Sequence, residues 1–483
     1  RDFLVGHRTM LLWILEKFIN LTEINTADSH HDGPLKTQED HHFTPAQQKR
    51  FVLEGWRVII GGVLVHLVLG TFYLWGSISV YIASYLREYN PGVTLNIVKM
   101  VFPLMNVAIN ATLAFGVKLA AKIGHRLMVC IAILLISGTV FVVSFIQNFW
   151  AFLLIYAIVL GVSSGMVYMV PVVCGLKYFP TKKGRVSGII IAGYGFGAFI
   201  FNLIALKLIN PDNVHPSIVS IEGGKTVKYF DVSVFSRVPS SLRILSAIYL
   251  CVGAVGCLLI KSPKYVPHVE HHEEHHVLTK EGTKKEEVQE CHSVKQGMHV
   301  SQFYLLFFMV IMAAFFSLFM ANNYKIFGLV KIEDDSFLTI VGSVGSVCNG
   351  GSRALWGILM DKFGFKKIFF FILALQIILT ASIDAIAYSK ALYLIWYAMT
   401  MFCEGGLFAI FPAVTTKVFG NAVGPVIYGF IFFGFALANL MSYFIGTFAQ
   451  DNLGWSGIFW IAFAFTVGAG FLNIFFKENR KWQ

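Results

Sequence analysis

The sequence predicts an all-α membrane protein: twelve transmembrane helices in two six-helix bundles, with both termini on the cytoplasmic side. Three observations carry this. Of the 483 residues, 56% are hydrophobic and only 13% are charged, about half the charged share of an average soluble domain, and mean hydropathy is +0.67. Runs of about 20 apolar residues recur along the chain, each long enough to cross a bilayer. Lipid-facing backbone must satisfy its own hydrogen bonds, which selects helices. One charged stretch near the middle divides the runs six and six.

Residues 1–56 form an N-terminal segment, polar apart from "RDFLVGHRTMLLWILEKFINL". Arg8, Glu16 and Lys17 interrupt that apolar stretch, so the expectation is an interfacial helix. A removed organellar presequence is one expectation for a chain that begins at Arg1. The first bundle, 57–261, holds spans at about 57–83, 95–118, 127–147, 150–174, 186–208 and 242–261. A charged, His-rich central loop follows at 262–301, aromatic-poor and expected to be disordered. The second bundle, 302–476, holds spans at about 302–324, 337–360, 368–388, 391–415, 424–447 and 455–476, and 477–483 is a tail.

Loop charge sets the orientation. Lys122 and Arg126, then Lys177, Lys182, Lys183 and Arg185, then Lys362, Lys366 and Lys367, then Lys417 share one side. The other side has Arg87 beside Glu88, Lys331 beside acids, Lys390, and Asp451. The excess of basic residues marks the first side as cytoplasmic, together with both termini and the central loop. The net charge of +11 is therefore a topology signal, and no basic, aromatic-interleaved soluble domain points to nucleic acid. The seven cysteines lie mostly in apolar segments without CxxC spacing; the expectation is reduced core residues with no disulfide framework.

Arg353 is the conspicuous charge, set in "SVCNGGSRALWGILMDKFGFKK" (346–367). A guanidinium stays ionised at any working pH, so it either snorkels to a surface or meets a negative partner. Met360 lies seven residues on, about 10 Å of helix, within reach of a long side chain. Asn349 one turn earlier, with Gly350, Gly351 and Ser352, favours a cavity or helix–helix face instead. Glu404, in the Gly-rich "CEGGLF", is an acid expected within the membrane, able to pair with a cation or carry a proton. Asp384, close to "YSK", is expected at the interface.

The two halves carry related loops. "GILMDKFGFKK" (357–367) aligns with "GVKLAAKIGHR" (116–126), placing Gly364 on Gly124, Lys362 on Lys122 and Asp361 on Ala121. With "GTFYLWGSISVY" (70–81), "GMVYMVPVVCGLKYFPTKKGRVSGIIIAGYGFGAFIFN" (165–202), "NGGSRALWGILMDKFG" (349–364) and "CEGGLFAIFPAVTTKVFG" (403–420), the chain resembles the major facilitator superfamily over about 55–476. Within it, the chain is most similar to the oxalate:formate antiporter and monocarboxylate transporter group.

That resemblance implies two bundles rocking about a midplane cavity, with Arg353 meeting a substrate carboxylate. It also implies aromatic lining at Tyr73, Trp75, Tyr168 and Tyr194, for which core packing is the alternative. Asn349 occupies the slot where proton-coupled carriers of the group hold an acid. Asp361, Lys362, Gly364, Lys122 and Gly124 match the conformational latch loops, with helix capping as the alternative. Oxalate carriers place a second cation on helix 11; the matching slot here is Phe435. A dicarboxylate would then leave one charge uncompensated, so a formate-, lactate- or pyruvate-like monocarboxylate is expected, moved by antiport or symport.

His66 reads as a hydrogen-bonded core histidine. "GYGFGA" (193–198) has no preceding strand and is a helix-packing segment, not a dinucleotide fingerprint. The histidines at 268, 271, 272, 275 and 276 are i,i+4 spaced, yet a solvated linker is expected over a metal site. No G-x-x-x-x-G-K-[ST] occurs, so the expectation is a carrier without cofactor or enzymatic step. A different class is a transporter-fold structural subunit whose partner chains contact 1–50 and 262–300; a ligand sensor is a third. The membrane is expected to be the plasma membrane or an organellar one, including the mitochondrial inner membrane.

Overall fold

The computed structural model describes residues 44–263 and 291–478, apart from 213, 215, 223–224, 292, 333 and 447–449. The expected interfacial helix in 1–21 and the histidine cluster at 268–276 lie outside the described residues, as does most of 1–50 and 262–300.

The first helix, α1 (Pro45–Leu69), begins twelve residues before the expected span. Thr44 and Gln47 form a capping box: each side-chain oxygen accepts from the other residue's backbone N–H, and Pro45 fits the first turn. A lysine link, Lys261 Nζ to Glu54 at 3.2 Å, ties this extension to the far end of the bundle. The chain continues into α2 (Thr71–Tyr89), α3 (Leu95–Val98), α4 (Val101–Ile123) and α5 (His125–Val143). The fourth segment is broken into α6 (Phe149–Leu153), a π-helical turn (Leu154–Val159), α7 (Leu160–Tyr168) and α8 (Val170–Tyr178), with Pro171 at the last restart. Next come α9 (Lys183–Ile209), the strands β1 (Ile218–Glu222) and β2 (Lys225–Tyr229), α10 (Val232–Phe235) and α11 (Val238–Leu259).

The second half comprises α12 (Val294–Met298), α13 (Ser301–Ile332), α14 (Asp335–Phe363), α15 (Phe365–Ile386), α16 (Lys390–Phe444) and α17 (Gln450–Phe475). Gly420, at φ 83°, bends α16 into two arms. Gly124 and Gly364, at φ 97° and 82°, make the matching α4–α5 and α14–α15 corners in a backbone region that L side chains rarely adopt. Ten helices among the described residues are long and apolar enough to cross a membrane. Leu134, Trp150, Leu258 and Phe471 are more than half exposed, as a lipid-facing surface requires.

Three expectations change. The structure joins Cys130 of α5 to Cys257 of α11 as a disulfide with Cα atoms 5.9 Å apart, so these two are not reduced core cysteines; helix packing, invisible to CxxC spacing, brings them together. The end of the central loop is packed rather than solvated: Ser293 caps α12 through the Gln296 N–H, and Cys291 and Val294 are buried. Finally, Ile218–Glu222 and Lys225–Tyr229 pair as antiparallel strands, Ile218 opposite Tyr229, a pairing that the sequence reading missed. It is pinned to α2 by Arg87, which donates to Ser220 Oγ at 2.8 Å, and by the Phe230 N–H on Ser84 Oγ at 3.0 Å.

The halves meet along two close helix pairs. On α9 and α14, a Cβ added at Gly195 would stand 2.3 Å from Gly350 Cα. On α4 and α16, a Cβ at Gly429 would stand 2.4 Å from the Ala114 nitrogen. Small residues give backbone approach where lipid removes most of the hydrophobic drive between helices.

Candidate functional site

Arg353 lies on α14 and is fully buried. Its side chain runs back along the helix, away from the Asp361 end, so it does not snorkel. Nε and Nη2 donate to Asn349 Oδ1 at 3.1 and 2.6 Å, and Nη1 donates to the Ile191 carbonyl of α9 at 3.0 Å. The guanidinium carbon stands 4.3 Å from the Phe408 ring centre and 5.3 Å from that of Tyr194, positions in which the ring faces attract a cation.

Glu404, equally buried on α16, does not touch Arg353 directly. The Asn349 amide lies between them, donating from Nδ2 to Glu404 Oε2 at 2.9 Å. The other carboxylate oxygen, Oε1, accepts from the Tyr73 hydroxyl at 3.2 Å. Among the described residues no carboxylate pairs with Arg353. Among the described residues all three guanidinium bonds therefore end on neutral oxygens, and two of its five N–H groups make no bond. A buried cation so compensated is a ready acceptor for an anion.

The ring of Tyr194 meets those of Tyr73 and Tyr168, each 5.7 Å away. Thus Arg353, Asn349, Glu404, Tyr73, Tyr168 and Tyr194 come together from both halves. Trp75 does not join them: it packs on Tyr156 at 5.3 Å and Phe152 at 6.2 Å inside the first half. Phe435 stacks on Phe432 at 5.0 Å and meets Phe408 at 4.8 Å, so the slot for a second cation is an aromatic block. Sequence reasoning missed Phe408, although it stands four residues after Glu404 in a quoted block. It also missed Ile191, whose contribution is a carbonyl that no motif can reveal. His66 is a core histidine, its Nδ1 2.9 Å from the Gly62 carbonyl. Asp384 pairs with Lys331 at 3.2 Å, beside the exposed Tyr388.

The latch residues divide. Asp361 caps the N-terminus of α9, accepting from the Gly184 and Arg185 N–H groups at 2.8 Å each. Those amides have no cap of their own, and the helix dipole favours an acid there. Gly124 and Gly364 form the paired corners, while Lys122 and Lys362 end α4 and α14 as exposed residues. Ala121 supplies no matching acid, so the acidic bridge exists on one side only.

The Major Facilitator Superfamily model matches residues 10–202. An apicoplast pyruvate carrier of Toxoplasma gondii is 28% identical, covering 82% of this chain and 84% of the relative. The oxalate:formate antiporter of Oxalobacter formigenes is 24% identical over 84% of this chain and 87% of its own length. An uncharacterised MFS-type transporter of Escherichia coli is 22% identical, with 82% and 88% covered. The chain is thus similar to the Major Facilitator Superfamily over its first part and to transporters over more than four fifths of its length. It is a multi-pass integral membrane protein, and the Arg353 cluster lies where its two halves meet.

Proposed function

We propose that the chain carries a small monocarboxylate, of the formate, lactate or pyruvate kind, by alternating access, with Arg353 binding the carboxylate. One observation carries this reading: a fully buried guanidinium at the meeting of the halves, bonded among the described residues to neutral oxygens and ring faces alone. A bidentate carboxylate suits its fork. Names of relatives support the class, one a pyruvate carrier and one an oxalate:formate antiporter. Phe435, where the group's oxalate carriers hold a second cation, argues for one carboxylate rather than two.

In this reading α14 is a further span despite its charges, and the two arms of α16 are separate spans, giving twelve. Both termini face the cytoplasm, and the Asp361–α9 bridge closes that side. The carrier works as an antiporter or a symporter. The test is uptake of labelled formate, lactate, pyruvate and oxalate into proteoliposomes, with internal counter-substrate, for wild type and Arg353→Gln. A monoacid moved by wild type and lost in the folded variant is expected. Transport that survives Arg353→Gln would overturn the assignment.

A further inference from the structure

Each half carries a cavity at the end remote from the Gly124 and Gly364 corners. The first, about 440 Å³, lies between Tyr85, Glu88 and Tyr89 of α2, Phe145 just after α5, Phe235 of α10 and Pro239 of α11. The second, about 290 Å³, lies between Lys331 of α13, Asp384 and Tyr388 at the end of α15, and Ser456 and Trp460 of α17. The positions correspond: twenty residues beyond the paired glycines stand Ser144 and Asp384, each lining its own cavity. In the second half the chain supplies an ammonium. Lys331 Nζ stands 4.4 Å from the Tyr388 ring centre, pairs with Asp384 at 3.2 Å and donates to the Tyr388 hydroxyl at 2.9 Å. In the first half the rings and the carboxylate are present, and no lysine or arginine lines the cavity. Tyr85 and Tyr89 meet edge-on at 5.4 Å, and Glu88 makes no hydrogen bond or ion pair among the described residues. Tyr85 hydrogen-bonds to Gln147 and lies in the field of Arg243, so what it offers a ligand is its ring. Arg243 stands outside the lining, its guanidinium carbon 5.2 Å from the Phe145 ring centre and its Nε–H on the Pro239 carbonyl at 3.2 Å.

We propose that the first-half cavity holds the headgroup of a bilayer phosphatidylcholine, its trimethylammonium on the tyrosine and phenylalanine rings beside Glu88 and its phosphate toward Arg243. The ligand's ammonium takes the place that Lys331 fills in the other half. Aromatic rings are the surface that recognises a quaternary ammonium, and the volume lies in the range of ligand cavities. A trimethylammonium has no N–H to satisfy, whereas a primary ammonium brings three donors to walls made mostly of rings. The zwitterion meets both local charges, an acid in the lining and a guanidinium beside it. The bilayer as source follows from position. Three segments long and apolar enough to span, Pro45–Tyr89, His125–Val143 and Val232–Leu259, contribute their ends to this cavity or border it. Phe141 and Phe145, both exposed and edge-on at 5.2 Å, carry apolar surface from the flank of α5 to the cavity. The proposal is independent of the carboxylate assignment at Arg353.

The experiment is native mass spectrometry of the detergent-purified full chain, offered dioleoyl phosphatidylcholine, phosphatidylethanolamine and phosphatidylglycerol in equal amounts. Wild type is expected to retain one phosphatidylcholine about threefold or more over either other lipid. Glu88→Gln and Tyr89→Ala change exposed side chains, and thermal unfolding in lipid-free detergent checks that each variant is folded. Each is expected to lower phosphatidylcholine occupancy about two- to fivefold while the other two lipids stay unchanged. Equal retention of the three lipids by wild type overturns the proposal, as does a phosphatidylcholine preference that survives in both folded variants. A preference for phosphatidylglycerol also overturns it, because Arg243 would then act without the rings. Free phosphocholine separates the sources of the headgroup: it is expected to displace the lipid only weakly. Binding of free phosphocholine by a wild type that shows no lipid preference would assign the cavity to a soluble ligand and overturn the bilayer source.

Discussion

Glu404→Gln tests the electrostatics of the site most directly. The substitution keeps size and pairing: the new amide nitrogen donates to the Tyr73 hydroxyl oxygen, and the remaining carbonyl accepts from Asn349, in place of the present bonds of 3.2 and 2.9 Å. What disappears is a negative charge one amide away from Arg353, about 7 Å from the guanidinium. At an effective dielectric constant of about 20, unit charges at that distance interact by about 2 kcal/mol. The neutral variant should therefore bind a substrate anion up to about thirtyfold more tightly. The assay is the KM for pyruvate counterflow at fixed pH. The sign with pH follows: ionised Glu404 opposes an incoming anion, so wild-type affinity falls as pH rises through its titration, and the variant's profile is flatter. A KM that is unchanged or raised in folded Glu404→Gln would refute this account of the arginine's surroundings.

Trp75→Phe, placed against Phe152 and Tyr156 and away from Arg353, should cost about 1 kcal/mol of stability while leaving KM within about twofold of wild type; thermal unfolding and uptake measured together check both parts. Asp361→Asn removes a charged acceptor from two backbone amides. Because that carboxylate is exposed, the loss is modest, about fivefold in the opening equilibrium, read as faster labelling of a cysteine placed at the buried Ser187.

The bundle was legible because its signals are local. Apolar run length gives the spans, loop lysines give the orientation expectation, and the two related corners show as "KFGFK" and "KIGHR". Span ends were less legible: α1 starts at Pro45 because Thr44 and Gln47 cap each other, a signal available in the sequence but hidden behind the hydropathy boundary at 57. The hairpin was likewise written in the alternation of "SIVSIEGGKTVKY", yet a search for 20-residue runs passes over it. Arg353, Asn349, Glu404 and Tyr194 stood out as polar or aromatic groups in unusual settings. Trp75 had the same credentials and faces the other way, since a helix carries residues 73 and 75 about 200° apart. The Cys130–Cys257 pair and the Ile191 carbonyl depend wholly on which helices become neighbours, and no spacing rule encodes that.

The cluster also explains how one anion could govern the whole molecule. Two bonds at the site join the halves: Tyr73 of α2 reaches Glu404 of α16, and Ile191 of α9 reaches Arg353 of α14. The same helices α9 and α14 carry the Asp361 bridge, and Gly188 holds them close beside the Arg353 carbonyl, where an added Cβ would stand at 2.5 Å. Residues 184 and 191 are about two turns apart on α9. Rocking α9 against α14 as rigid bodies must therefore disturb the capping bridge and the arginine's carbonyl bond together. A carboxylate that replaces the carbonyl as the partner of Arg353 weakens one member of that pair and lowers the cost of releasing the other. Close-packed glycine contacts do not deform gradually, so the interface favours two discrete arrangements, and the differential contacts of the anion decide between them. Ala121 stands where the second half has Asp361, so in the proposed carrier α9–α14 is the seam on which an anion at Arg353 would act.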